Sequence, residues 1–326
     1  MRLINHPVLC NYYLTYRCNA KCGFCDIWEQ PSPYVDLKNV ESNLKDLKKL
    51  GVKVIDFTGG EPLLHRQLPE MLEMAKKQGF ITTVTTNALL YPKRARSLTG
   101  KIDMLHFSLD AYDRQQHDDM RGVKCYDAVM ESIDIAISLG ERPDILFTVF
   151  SHNFDQIHPV YEKITKDKKL VLILNPAFNY NEVDAGEQLT GHQLKKLKKW
   201  SRKPYVYLNN AFLSLIEDGG NHIEDPVCRA GISTIVISAH NELLSPCYHL
   251  NKQQFALNDN LAEIYNLISV KKELNKAGKL AECEGCAINC YMQPSFAVEL
   301  NKYFWKALPS TIKYNRMKGT WKQLVS

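Results

Sequence analysis

Residues 18–25 read Cys18-Asn19-Ala20-Lys21-Cys22-Gly23-Phe24-Cys25 and follow directly on an apolar run over 9–15. Three thiols are spaced three residues and then two residues apart. A four-iron cubane is held by four thiolates, one per iron, so a group of three leaves one iron without a protein ligand. An open coordination position is where a small molecule can bind a metal and react. A structural zinc or a set of buried thiols is the alternative. Zinc wants a fourth Cys or His close by, and between residues 1 and 53 only His6 and Cys10 are available.

Working outward, 54–58 (Val-Ile-Asp-Phe-Thr) reads as a strand. It runs into Gly59-Gly60-Glu61-Pro62, 34 residues after Cys25. Two glycines let a backbone approach a ligand closely and take torsions closed to other residues. Together the two motifs resemble the signatures of the radical S-adenosylmethionine (SAM) superfamily. The resemblance implies that Cys18, Cys22 and Cys25 hold a [4Fe–4S] cluster whose open iron chelates the amino and carboxylate groups of SAM. One electron then cleaves SAM to methionine and a 5′-deoxyadenosyl radical. It further implies that Gly59, Gly60 and Glu61 lie along the SAM amino group and that Phe24 packs near the adenine. Asn87, Ser108 and Asp110 close predicted strands, where short polar groups bond a ribose or the SAM carboxylate, or else serve as turn and cap residues. Arg121 has the planar fork that pairs with a carboxylate; a surface ion pair is its other reading.

The first half alternates strand and helix patterns. Strands are expected at 9–15, 54–58, 81–86, 104–108, 145–150 and 171–175. Amphipathic helices are expected at 40–50, 68–78 and 126–139. Six β/α units imply parallel strands with helices outside. That agrees with the α/β fold of the resembled family, a partial (β/α)6 barrel. Functional residues of such barrels gather at the C-terminal strand ends, where Cys18, Gly59, Asn87, Ser108, Asp110 and Asn153 all fall. The expected division is a radical SAM core over 1–190, a linker and helix over 191–225, a small α+β cluster domain over 226–300 and a basic aromatic tail over 301–326.

A second cysteine group occupies the last third: Cys228, Cys247, Cys283, Cys286 and Cys290. Residues 233–244 read as a β-hairpin with a short polar turn, and 260–277 as a helix. The hairpin would bring two cysteines beside the later Cys-x2-Cys, giving four convergent thiolates. Spacing alone fits zinc and iron–sulfur equally. Behind a radical SAM core, the segment resembles the SPASM/Twitch auxiliary-cluster domains. Five cysteines rather than seven imply a Twitch-like domain with one auxiliary [4Fe–4S] cluster. Cys228, Cys247, Cys283 and Cys286 are the first-choice ligands; Cys290 is a substitute for Cys286 or a spare, and His249 reads as an ordinary polar residue.

The chain has 326 residues, 45% of them apolar, enough to bury a sizeable core. No export leader or membrane-length apolar stretch is read, so the cytoplasm is expected, where ten cysteines stay reduced. Cys10 and Cys125 read as small core hydrophobes. Net charge is +5, but 302–326 carries six cations and no acid, leaving the rest at −1. A near-neutral body argues against nucleic-acid binding. The tail, with Phe304, Trp305 and Trp321, reads as a helix closing the barrel, the alternative being contact with an anionic lipid surface or a phosphorylated substrate.

The expected function is therefore hydrogen abstraction from a peptide or small molecule, leading to oxidation, cross-linking or another C–H modification. The auxiliary cluster would assist electron transfer, with a reductant such as flavodoxin or ferredoxin as partner. A non-catalytic iron–sulfur electron carrier or scaffold is the contrasting class, disfavoured because a carrier needs neither an open iron nor the Gly-Gly-Glu-Pro loop. Methyl transfer is disfavoured because no cobalamin domain is read.

Overall fold

The computed structural model describes residues 3–178 and 188–320. Six parallel strands run in chain order: β1 (Leu9–Tyr13), β2 (Val54–Thr58), β3 (Ile81–Thr86), β4 (Met104–Ser108), β5 (Asp144–Val149) and β6 (Leu172–Pro176). The intervening helices are α1 (Leu37–Lys49), α2 (Leu68–Lys77), α3 (Tyr91–Leu98), α4 (Arg114–Arg121) and α5 (Tyr126–Ser138). After β5 come α6 (Ile157–Val160) and α7 (Lys166–Lys168), joined by a π-helical turn. Local chemistry explains their starts. The Asp36 carboxylate accepts the Lys38 N–H at 2.7 Å and begins α1. The Asp113 carboxylate does the same for Gln116 at the head of α4. The helical stripe Val40, Leu44 and Leu47 is fully buried against the sheet.

Strand faces differ in accessibility. In β2, Ile55 and Phe57 join the core beneath the helices, while Val54, Asp56 and Thr58 keep accessible surface. In β4, Leu105 and Phe107 do the same, and Met104 and His106 remain accessible on the other side. Because side chains alternate across a strand, the inward residues surround an accessible chamber rather than a filled core.

The sheet extends beyond the six expected strands. Its order is β10-β9-β8-β1-β2-β3-β4-β5-β6-β7, with β7 (Val206–Tyr207), β8 (Thr234–Ile237), β9 (Glu242–Ser245) and β10 (Gln253–Ala256). The expected hairpin is present, but β8 also pairs in parallel with β1, Leu9 opposite Thr234. The 226–300 segment is thus seated on the barrel's own sheet. β7 and β10 end the sheet on opposite sides, so the barrel is open.

α8 (Gly191–Trp200) begins at a capping box of Thr190 and Gln193, and α9 (Asn210–Glu217) follows β7. Residues 179–187 of the expected linker lie outside the described residues. The expected 260–277 helix is two, α10 (Leu261–Asn266) and α11 (Ile268–Leu274), because Leu267 takes an extended backbone (φ −58°, ψ 136°). α12 (Asn289–Ser295) carries Cys290, and α13 (Lys302–Lys318) packs along α9 and β7. Tyr314 of α13 packs with Val171, Ile173 and Met104 at the N-terminal strand ends. The chamber floor is closed there, leaving the C-terminal ends open.

Candidate functional site

The cysteine loop is fixed by the second motif. The backbone carbonyl of Thr15 accepts the Gly60 N–H at 2.8 Å, and that of Arg17 accepts the Glu61 N–H at 2.9 Å. A Cβ on Gly59 (φ +134°) would sit 2.1 Å from the Thr15 oxygen, and one on Gly60 2.2 Å from the Arg17 oxygen. The glycines therefore allow close approach to the chain's own cysteine loop. Glu61 is buried, and its carboxylate accepts from Leu63 N (2.9 Å), Thr86 Oγ1 (2.7 Å) and Asn87 N (2.9 Å). Burial raises its pKa, opposed by those same bonds. Glu61 thereby ties the β2 loop to the end of β3. Asn87 is a turn residue, its Oδ1 accepting Leu89 N, and it also reaches the cysteine loop: its Nδ2 donates to Asn19 Oδ1 at 2.7 Å and lies 3.9 Å from Cys18 Sγ.

The other wall comes from α4. Arg121 is buried, with Nη2 2.6 Å from Asp110 Oδ2, Nη1 3.9 Å from Cys22 Sγ and its guanidinium 5.3 Å over the Phe24 ring. The Arg121 Nε is buried with no hydrogen-bond partner. Asp110 Oδ1 accepts Thr148 N at 2.8 Å, and Asn153 clamps the Asp110 and Thr148 carbonyls at 2.9 Å each. Ser108 ends β4 on its inward face, and Phe24 packs on Phe150 at 5.2 Å. This donor set fits a cluster with a carboxylate-bearing cofactor: three half-buried thiols, two nitrogen donors 3.9 Å from the sulfurs, and an unsatisfied guanidinium N–H beside them. Neighbouring His117 accepts the Asp110 N–H at Nδ1, so its Nε2 carries the proton and donates to Cys125 Sγ at 3.3 Å. Burial holds its pKa down to about 4. With both nitrogens engaged, the His117–Asp118–Cys125 grouping orders the core.

The last third builds a second site. A cavity of about 250 Å³ is lined by Cys228, Cys247, Cys283 and Cys286, with His249 and Tyr291 on its wall. Cys290 does not line it. Burial lowers the His249 pKa to about 4. The organiser is Asn221, fully buried. Its Oδ1 accepts Val227 N (2.9 Å) and Cys228 N (3.1 Å); its Nδ2 donates to the Gly278 (2.8 Å) and Cys283 (3.1 Å) carbonyls. Its backbone bonds Cys286 O and Gly285 N. Sequence reasoning missed it; the Gly219-Gly220-Asn221 turn just before Cys228 was the available signal.

An aromatic group adjoins Cys247 within a larger hydrophobic cluster. Tyr248, next to Cys247, stacks on Tyr13 at 4.4 Å and meets Tyr16 at 5.8 Å. Cys25 and Cys286 pack against the same cluster.

The chain is similar to several known proteins. Residues 12–164 match the family described as the Radical SAM superfamily. A "Probable GTP 3',8-cyclase" of Methanocella arvoryzae is 30% identical over 218 residues, spanning 62% of this chain and 70% of the relative. Another of that name, from Sulfurisphaera tokodaii, is 27% identical over 257 residues, spanning 74% and 81%. Among solved structures, Streptococcus suis SuiB bound to precursor peptide SuiA superposes with a TM-score of 0.71 at 18% identity, over 86% of this chain and 72% of that one. Native anSMEcpe with bound AdoMet gives 0.63 at 17%, over 98% and 100%. Identities this low carry the fold alone, and that fold is the same open α/β barrel. With the family match over the barrel strands and the relative at 30%, the chain belongs to the radical SAM superfamily and is an enzyme that works with a [4Fe–4S] cluster and SAM.

Proposed function

We propose that this enzyme removes a hydrogen atom from a substrate held in the barrel chamber and passes an electron from that substrate toward the C-terminal cavity. The observation that carries this reading is the pair of thiol sets, three half-buried at the open strand ends and four around one cavity, with one thiol of each, Cys25 and Cys286, packed against a single hydrophobic cluster. Cys18, Cys22 and Cys25 would hold the first cluster, with the Arg121–Asp110 pair, Asn87, Ser108 and Phe24 around the cofactor. Bound there, cluster and SAM supply a 5′-deoxyadenosyl radical. Glu61, Gly59 and Gly60 act on the loop, holding it against β2 and β3. Phe24 and Phe150 exclude water from one wall. Cys228, Cys247, Cys283 and Cys286 would hold a second cluster, whose chemistry is one-electron transfer. Thiol sets of this kind call for a reducing compartment, the cytoplasm.

The relatives' names give a second reading, cyclisation of GTP. Anaerobic reconstitution followed by SAM and dithionite distinguishes the outcomes. Release of 5′-deoxyadenosine without added substrate is expected, and its absence from iron-replete protein would overturn the proposal. Consumption of GTP coupled to that release would establish the second reading.

A further inference from the structure

The strands that surround the chamber carry no positive charge. None of the ten strands contains a lysine or arginine. Four of the five cations of α13, which closes the floor, are engaged: Lys318 with Asp144 at 3.0 Å, Lys313 with the Ser201 and Lys203 carbonyls, Lys306 with Ser214 Oγ and Lys302 with Asp218; the fifth, Arg316, is exposed. Arg121 is paired with Asp110.

The inward polar groups include Asn11 of β1, Asp56 of β2, Thr83 and Thr85 of β3, His106 and Ser108 of β4, Thr148 of β5 and Asn175 of β6, with Cys290 nearby on α12. Asp56 accepts one hydrogen bond, from Thr83 Oγ1 at 3.3 Å, and makes no ion pair among the described residues. His106 faces the floor: Nε2 lies 3.2 Å from the Tyr314 hydroxyl and 3.4 Å from Asp144, and Nδ1 3.2 Å from Thr85 Oγ1. Asn175 Oδ1 accepts from Asn289 Nδ2 at 2.9 Å, which places α12 over β6.

Cys290 is accessible on α12, directly after Asn289, whose bond to Asn175 sets this helix over the inward face of β6. Asp56 keeps accessible surface on the inward face of β2, opposite Asn11 and Thr83 in the register, and burial raises its pKa to about 6 against the opposing His106 and Thr83. A carboxylate inside an apolar strand is costly unless something compensates it.

We propose that Asp56 is a specificity-determining residue of the substrate chamber, selecting a small, donor-rich molecule that is neutral or cationic, with hydroxyl or amine groups, over a polyanion such as a nucleoside triphosphate. This rests on the function proposed above and names the substrate class of the same site. The carboxylate takes donor hydrogens, Thr83, Thr85 and Asn175 add orientation, and the absence of strand cations leaves a phosphate chain without partners.

Cys290 provides a reporter within the same chamber. The full chain, anaerobically loaded with iron, sulfide and SAM, is treated at pH 8 with a cationic (trimethylammonioethyl) or an anionic (sulfonatoethyl) methanethiosulfonate. In each reaction the thiolate displaces methanesulfinate. Labelling at Cys290 is followed by peptide mass, with rates divided by those for free glutathione and Cys290→Ser as the blank. A carboxylate in a walled chamber should favour the cation about tenfold or more. The isosteric Asp56→Asn should bring the ratio to within about twofold of unity. Equal rates in the unsubstituted chain, faster anionic labelling, an unlabelled Cys290, an unchanged ratio in Asp56→Asn, or protection of Cys290 by GTP would each overturn the inference. SAM cleavage in the same samples separates the two ideas: cleavage with a flat ratio sinks the chamber assignment alone, whereas no cleavage sinks the underlying function.

Discussion

The two thiol sets are held in opposite ways. Cys18, Cys22 and Cys25 sit half-buried on a loop that follows a strand, and what fixes them comes from outside the loop: the glycine-lined turn after β2, Glu61 and Asn87 reaching from β2 and β3, and Arg121 from α4. The C-terminal thiols, three of them buried and Cys286 half-buried, surround one cavity and are drawn together by one buried side chain, Asn221, which bonds the backbone at Cys228 and at Cys283. A loop braced from three sides but open toward the chamber suits a metal that must bind a cofactor. A cavity ringed by four thiols suits one that only exchanges electrons. The contrast teaches that coordination number here is written into the loops' neighbours as much as into the cysteine spacing.

The largest effect that tests this contrast is on the open site. Reconstituted protein is expected to carry about eight irons, four per cluster. Replacing Cys18, Cys22 and Cys25 together with Ala should leave about half the iron and abolish 5′-deoxyadenosine release. Full iron retention in that variant would break the first assignment.

The enclosed site is probed next by Asn221→Ala. The change strips partners from two backbone N–H and two carbonyl groups, each costing about 1–3 kcal/mol when left unsatisfied in the interior. Thermal stability should drop and the iron content should fall to about half, with SAM cleavage retained because the open site is braced independently. Zinc in place of iron in the unsubstituted protein would leave the contrast in geometry but remove the redox role.

A smaller effect is expected at the chamber floor. Burial raises the Asp144 carboxyl's pKa, but His106 and Lys318 outweigh it and hold the pKa below the usual value. A depressed folded pKa stabilises above the unfolded value, near pH 4, and the contribution is lost as pH falls through the lower folded value. Lys318→Met leaves Asp144 buried beside His106 and Tyr314 without its lysine partner, at a cost of about 3–5 kcal/mol. Urea unfolding against pH should then show the acid-side loss starting at a higher pH than in the unsubstituted protein. Iron at both sites should be unchanged, since this network touches neither.

Much of this was legible before the structure. The six parallel strands announced themselves as short apolar runs bounded by turn residues, and β2, β3 and β4 begin and end where expected. Both cysteine sets were visible from spacing. The sheet's extension was not. Val206–Tyr207 is too short for any period, and Thr-Ile-Val-Ile of β8 reads alike as the core of a separate domain or as a neighbour of β1. The break at Leu267 interrupts a regular apolar pattern with a backbone torsion that the pattern does not encode. Asn221 looks like a turn residue because its partners lie 57 and 62 positions away along the chain. Asp56 was readable: a carboxylate within Val-Ile-Asp-Phe-Thr marks a strand with one wet face, and that face is the chamber.

The smallest effect concerns α13, where the aromatic residues divide. Tyr303 is buried and hydrogen-bonds Asp218 at 2.7 Å, Phe304 is half-buried against Trp305, and Trp305 is 62% exposed; Trp321 lies outside the described residues. The expectation that Phe304, Trp305 and Trp321 pack inside therefore holds in part for Phe304 and not for Trp305. One exposed indole is a weak membrane anchor without free cations beside it, because stable surface binding takes apolar insertion together with charge attraction. Four of the five cations of α13, Lys302, Lys306, Lys313 and Lys318, already have protein partners, and Arg316 lies about three turns away from Trp305; no helix among the described residues is long and apolar enough to cross a membrane. Trp305→Ala should thus change stability by no more than about 0.5 kcal/mol. Neither it nor the unsubstituted protein should sediment with anionic vesicles at 0.1 M salt. Binding that Trp305→Ala removes and added salt weakens would make α13 a lipid-facing element. The contrast between the two thiol sites would then need a third partner, the surface on which the enzyme works.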